Sequence, residues 1–237
     1  MNTLLTITPE TTVGDIAAHI PLATGVFSRH KMDYCCGGNR PLTEACERAG
    51  ADLETVQKEI AALERNEDAL SLTSAPLGEL CDHIESLHHS YLKEAMPAIW
   101  DMMKKVLNAH GENHPEYVEL HQTVGLLFNE LHNHLQKEEE ILFPMIRRLA
   151  AGEATDPNGL GCMTPEAPMQ VMEAEHENAG QALRRMRELT SDYTVPENAC
   201  TTLTALIKSL EECESDIHNH IHKENNILHP RVRELLG

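Results

Sequence analysis

The chain has 237 residues, enough for one large domain or an ordinary domain with a small one attached, and its core needs no covalent staples. Its 38 acidic against 19 basic side chains leave a formal charge of −19, which argues against a nucleic-acid or anionic-membrane surface. Aromatics are only 3% of the residues, so the core must come from Leu, Ile, Val, Ala and Met, while seven cysteines with two adjacent do not suit a disulfide framework, and no apolar run reaches spanning length.

The opening MNTLLTITPETTVGDI lacks a basic segment followed by an apolar run, so a soluble, reducing, cytoplasmic setting is expected. Thr11 or Thr12 is placed to cap a short helix through Ile20, and Pro21 opens a second ending near His30. HKMDYCCGGN then reads as a tight turn in which Gly37, Gly38 and Asn39 tolerate positive φ. Pro41 suits the first position of a helix stopped by Gly50, and ADLETVQKEIAALERN is another amphipathic helix. This makes residues 1–70 a small helical domain, with a polar, Pro-containing linker at 71–77.

Four long helical patterns follow, at about 77–108, 115–150, 166–191 and 197–235. Gly/Pro-rich or polar segments join them, notably AGEATDPNGLGCMTPEAP. The expected fold is all-α, with an up-down-up-down four-helix bundle over 78–237.

The second and fourth of these helices carry a repeat. HNHLQKEEEILFPMIRRL starts at His132 and HNHIHKENNILHPRVREL at His218, eighty-six positions later, sharing H-N-H-x-x-K-E-x-x-I-L-x-P. Residues four apart share a helix face, so His134 with Glu138 and His220 with Glu224 are matched nitrogen–oxygen pairs. A lone pair of this kind is commonplace on a solvated face. Two in one frame, each followed by an apolar I-L-x-P that seats it against a core, point to metal ligands. No cysteine lies on the frame, so iron or manganese is favoured over structural zinc. Two useful metal sites need more donors. The third helix offers His176, flanked by Glu173, Glu175 and Glu177, while on the first His83, His88 and His89 compete and spacing does not separate His88 from His89.

The repeat resembles the hemerythrin-like domain of the iron–sulfur cluster repair di-iron proteins, the RIC family, and DYCCGGNRPLTEAC resembles that family's small cysteine-bearing domain. The resemblance covers about residues 10–67 and 77–235. It implies two iron ions per chain in a carboxylate-bridged, oxo-bridged centre. It selects His89 through its interval from Met96-Pro97, giving His89, His134, Glu138, His176, His220 and Glu224 as ligands, with Glu138 and Glu224 bridging. It further implies roles near the site for Glu130 and Glu175. In the second copy His229 stands where the family usually has Phe, and it is not expected to be a ligand.

Cys35 and Cys36 are expected either as an exposed, redox-reactive pair with lowered pKa beside Arg29, His30, Lys31 and Arg40, or with one thiol packed under the turn. The family's function implies repair of clusters damaged by nitric oxide or oxidants, with this protein as iron donor. Nitric oxide reduction at the di-iron centre, and an oxygen or nitric oxide sensor, are the alternatives, so whether the chain is an enzyme stays open. Iron–sulfur client proteins and small molecules such as nitric oxide or oxygen are the expected partners, with a homodimer as a further expectation and no nucleic acid or membrane.

Overall fold

A computed structural model of the chain describes residues 6–63, 69–153 and 164–237. Most of the connector between the second and third long helices, with Cys162, lies outside the described residues. The described residues are helical, with one isolated bridge between Thr12 and Pro41 and no strand. None of the helices among them is long and apolar enough to cross a membrane.

Backbone proximity divides the chain into two compact units. One holds residues 1–81, 149–153 and 218–237; the other holds 82–148 and 154–217.

In the first unit, α1 (Val13–His19) is capped by Thr12, whose hydroxyl accepts from the Asp15 amide at 3.1 Å. After α2 (Ala23–Arg29) the cysteine segment leads to α3 (Leu42–Ala49), which ends in Gly50 at φ +66°, a conformation that favours glycine. α4 (Leu53–Ala61) is capped by Asp52, which accepts from the Thr55 amide at 2.8 Å. Val13, Ile16, Val26, Phe27, Leu42 and Val56 are fully buried and form its core. The segment read as a linker carries a short helix, α5 (Ala69–Ser74), before α6 (Leu77–Ile84). The Leu72 and Ala75 carbonyls there accept from Arg231. Arg231 belongs to α12 (His229–Leu236), the last helix of this unit.

The bundle unit is built on α7 (Ser90–His110), α8 (Pro115–Lys137), α10 (Glu166–Leu189) and the larger part of α11 (Thr201–Lys223), with α9 (Phe143–Ala150) extending the line of α8. On α8 the buried positions Leu120, Val124, Leu127, Leu131 and Leu135 recur at three- and four-residue steps, the period that turns one apolar stripe inward.

Three π-helical turns interrupt these helices: Glu85–His89, Glu138–Leu142 and Glu224–Leu228. In the latter two, the Phe143 and His229 amides reach back five residues, to the Glu138 and Glu224 carbonyls. A proline stands two residues beyond each, at Pro144 and Pro230. A proline ring crowds the carbonyl four residues behind it and has no amide to bond it, and the helix widens just upstream. The shared I-L-x-P therefore marks a local widening that begins at a glutamate in both copies.

Candidate metal centre

The bundle unit gathers its candidate ligands around Glu138, the first residue of a π-helical turn and wholly buried. His89, closing the π-helical turn ahead of α7, brings Nε2 to 3.3 Å from Glu138 Oε2; His134, one turn earlier on α8, brings Nε2 to 3.3 Å from Oε1. His176 of α10 sets its Nε2 3.1 Å from His134 Nε2. His134, Glu138 and His176 offer ligand atoms that all lie within 4.8 Å of one another, and all three are buried.

The outer nitrogens have the surroundings that metal-binding imidazoles need. His89 Nδ1 lies 2.8 Å from Glu139 Oε1, and His134 Nδ1 lies 2.9 Å from Glu175 Oε2. A carboxylate only accepts, so each ring donates from Nδ1 and presents Nε2, the nitrogen able to bind a metal, toward Glu138. A buried carboxylate needs a compensating positive charge, and outer carboxylates orienting imidazoles are the usual support of metal ligands. The donor set therefore fits a metal ion.

The outer carboxylates are themselves held ionised. The hydrogen bond from His134, with Lys137 beside it, overcomes burial and lowers the Glu175 pKa to about 2. For Glu139 burial pushes the other way, but Lys93, at 2.6 Å, and His89 outweigh it and hold the carboxyl below its ordinary value. Glu139 was missed by the sequence reading; its only signal is that it follows Glu138. Glu130 sits exposed on α8, and the outer-partner positions are taken by Glu139 and Glu175. His88, the competitor of His89, is buried with Nδ1 2.7 Å from Asp216 Oδ1.

The other unit holds the second copy. His220 Nε2 lies 2.9 Å from Glu224 Oε1, both buried, and Glu224 again opens a π-helical turn. His229 is fully buried on α12. Its counterpart Phe143 stacks on the His89 ring at 5.6 Å in the bundle unit.

The cysteine turn lies in this same unit and departs from expectation in one respect. Positive φ occurs at Lys31, at +55°, and not at Gly37, Gly38 or Asn39. The two glycines serve close approach instead: a Cβ on Gly37 would stand 1.9 Å from Arg40 Nη1, and one on Gly38 would stand 2.1 Å from Asn226 Oδ1. Nor is the pair the exposed one of the two arrangements expected; the other, with one thiol packed under the turn, is present. Cys35 is buried, and its hydrogen bond to Cys36 together with burial pushes its thiol well above the ordinary value; Cys36 is half-buried. The neighbouring cations are engaged elsewhere, Arg29 and His30 with Glu59 and Arg40 with Asp33. Asp33 organises the turn, accepting at Oδ1 from the Cys36 and Gly37 amides, both at 3.0 Å. Of the other cysteines Cys46, Cys81 and Cys213 are buried and Cys200 is exposed.

Residues 82–232 match the hemerythrin HHE cation binding domain, and residues 9–64 match ScdA_N, described as a domain of unknown function (DUF542). Among curated proteins the chain is similar to the iron-sulfur cluster repair protein YtfE of Escherichia coli O8 (strain IAI1) and to the protein of the same name from Shigella boydii serotype 4 (strain Sb227). Each is 36% identical over 220 residues, which cover 93% of this chain and 95% of the relative.

Proposed function

The chain belongs to the hemerythrin HHE cation-binding family, in the group that carries an N-terminal ScdA_N domain, and from that membership we propose that it repairs iron–sulfur clusters as a non-haem di-iron protein. In this reading His89, His134, Glu138, His176, His220 and Glu224 hold two iron ions, with Glu138 and Glu224 as the shared carboxylates. The observation that carries it is the buried Glu138 carboxylate faced by two imidazole Nε2 atoms, whose outer Nδ1 atoms are held by Glu139 and Glu175. The repeated frame supports the same role for His220 and Glu224, and the relatives' name supports repair as the task.

Iron bound by these residues supplies exchangeable coordination positions and bonds whose strength depends on oxidation state. The chain's own groups do the rest. Glu139 and Glu175 keep the His89 and His134 protons on Nδ1, and Lys93 and Lys137 keep those carboxylates charged. We assign the protein the role of iron donor to damaged client proteins.

The purified protein should hold about two irons per chain. His134→Leu and His89→Leu should each lower iron content sharply, whereas His88→Leu should not, and equal losses from His88→Leu and His89→Leu would remove the ligand assignment. Donation is tested by mixing iron-loaded protein anaerobically with a nitric-oxide-damaged [4Fe–4S] client, following chelator-trapped iron, client activity and nitrous oxide together. Client recovery in step with iron transfer supports the donor role. Abundant nitrous oxide without iron loss would make the centre a nitric oxide reductase instead.

A further inference from the structure

The cysteine turn is not explained by the metal chemistry, and its most specific contact is with one side chain of the second repeat copy. Asn226 lies within the π-helical turn Glu224–Leu228, and its Nδ2 donates to the backbone carbonyls of Tyr34, at 3.2 Å, and Cys35, at 3.1 Å. Its Oδ1 occupies space left open by two glycines from different segments: a Cβ on Gly14 would come within 2.6 Å of it, and one on Gly38 within 2.1 Å. Gly14 and Gly38 are themselves joined, amide to carbonyl, at 2.8 Å. The amide side chain is thus enclosed on one side by carbonyls it satisfies and on the other by bare glycine backbone. Tyr34, next to Cys35, packs on the same helix face. Its hydroxyl donates to Asn219 Oδ1 at 3.4 Å and its ring meets His222 edge-on.

We propose that Asn226 is a positioning residue for the cysteine pair: it pins the Tyr34–Cys35 backbone to the second repeat copy, sealing the Cys35 thiol inward and leaving Cys36 as the thiol presented to solvent. The chemistry is specific to an amide. Its nitrogen has two N–H groups for the two adjacent carbonyls and lies 3.1 Å from His222 Nδ1, while its oxygen fills the space beside the two glycines. The matching position of the first copy is Glu140, which has no donor; it is exposed and accepts from Gln136. The Glu-to-Asn difference is thus one of those that distinguish the copy lying under the turn. The proposal concerns the protein with or without iron, so its failure would leave the repair reading standing.

The test is site-resolved alkylation of the reduced, metal-free full chain, with peptide mass spectrometry to separate Cys35, Cys36 and Cys46. In the unsubstituted protein Cys36 should react at least about tenfold faster than Cys35. Asn226→Asp, which keeps the volume but removes the donors, and Gly38→Ala, which fills the space of Oδ1, should each speed Cys35 alkylation by about tenfold or more, the size expected from two lost hydrogen bonds. Cys46, buried in the same unit, should remain slow, and Glu140→Ala should change nothing. Should Asn226→Asp fail to fold, Asn226→Ala, which adds no charge, decides. The proposal is overturned if Cys35 stays as slow in these variants as in the unsubstituted protein. It is equally overturned if Cys46 accelerates in step with Cys35, since that signals general loosening and not release of one turn.

Discussion

The two copies of the repeat keep the same positions buried for their histidine–glutamate pairs and differ in what covers the neighbouring face. His134 and Glu138 in the first copy and His220 and Glu224 in the second are all within 3% of complete burial. Beside them the copies diverge. Ile141 is 47% exposed where Ile227 is 4% exposed, and Gln136 is exposed where His222 is buried. Asn133 is likewise exposed, while Asn219 accepts from Tyr34. One copy turns this face to solvent and the other places it under the cysteine segment. The lesson is that the frame encodes a turn with a buried histidine–glutamate pair, and that the residues between the frame positions encode its surroundings. Burial has chemical consequences: His222, held among apolar and backbone groups with Lys223 nearby, has its pKa pushed down to about 4 by burial first and by that charge second.

The comparison can be broken most forcefully by placing a charge at the matched isoleucines. Ile227→Asp should cost about 3–5 kcal/mol or prevent folding, because an unpaired carboxylate would be buried. Ile141→Asp should stay within about 1 kcal/mol. Urea denaturation of the two variants measures both, and similar losses would erase the difference between the copies. A second test concerns the outer partners of the ligands. Glu175→Ala and Glu139→Ala should each weaken iron binding by about 10–100-fold, the usual cost of losing a carboxylate that orients a ligating imidazole, measured by competition with a chelator. Unchanged affinity in both would mean that the His134 and His89 tautomers do not matter.

A finer comparison uses the π-helical turns. Pro144→Ala and Pro230→Ala restore an amide to each copy and should let the helix relax toward regular α-geometry, shifting the glutamate that opens the turn. Iron content should fall by a few-fold while overall helicity by circular dichroism stays the same. The smallest effect is expected at the exposed face of the first copy. Glu140→Ala, which loses only its 3.0 Å contact with Gln136, should alter stability by no more than about 0.5 kcal/mol.

Much of this molecule is legible from its residues. The capping threonine at Thr12, the stop at Gly50 and the periodic apolar stripes on α8 and α10 follow local rules, and the structure contains them. The pairs His134/Glu138 and His220/Glu224 are visible because helical spacing alone brings residues four apart together. What local rules missed has a common form. The 71–77 segment is polar and contains proline, yet it holds a helix whose carbonyls bind Arg231 from far along the chain. The glycines after Cys36 looked like torsional necessities and turn out to be spatial ones, since the atoms that exclude a Cβ belong to Arg40 and Asn226.

The sequence by itself determined the all-α class, the long helices and the repeated histidine–glutamate frame, because helix propensity, apolar period and four-residue spacing act between neighbours in the chain. Only the tertiary structure decided that His89 turns its Nε2 to Glu138 while His88 meets Asp216, and that Glu139 stands behind His89. It also decided that Cys35 is sealed while Cys36 is half-buried. Those choices depend on which side chains arrive from remote segments. Burial, hydrogen-bond pairing and the proton position on an imidazole are set by those arrivals and not by the neighbours in sequence.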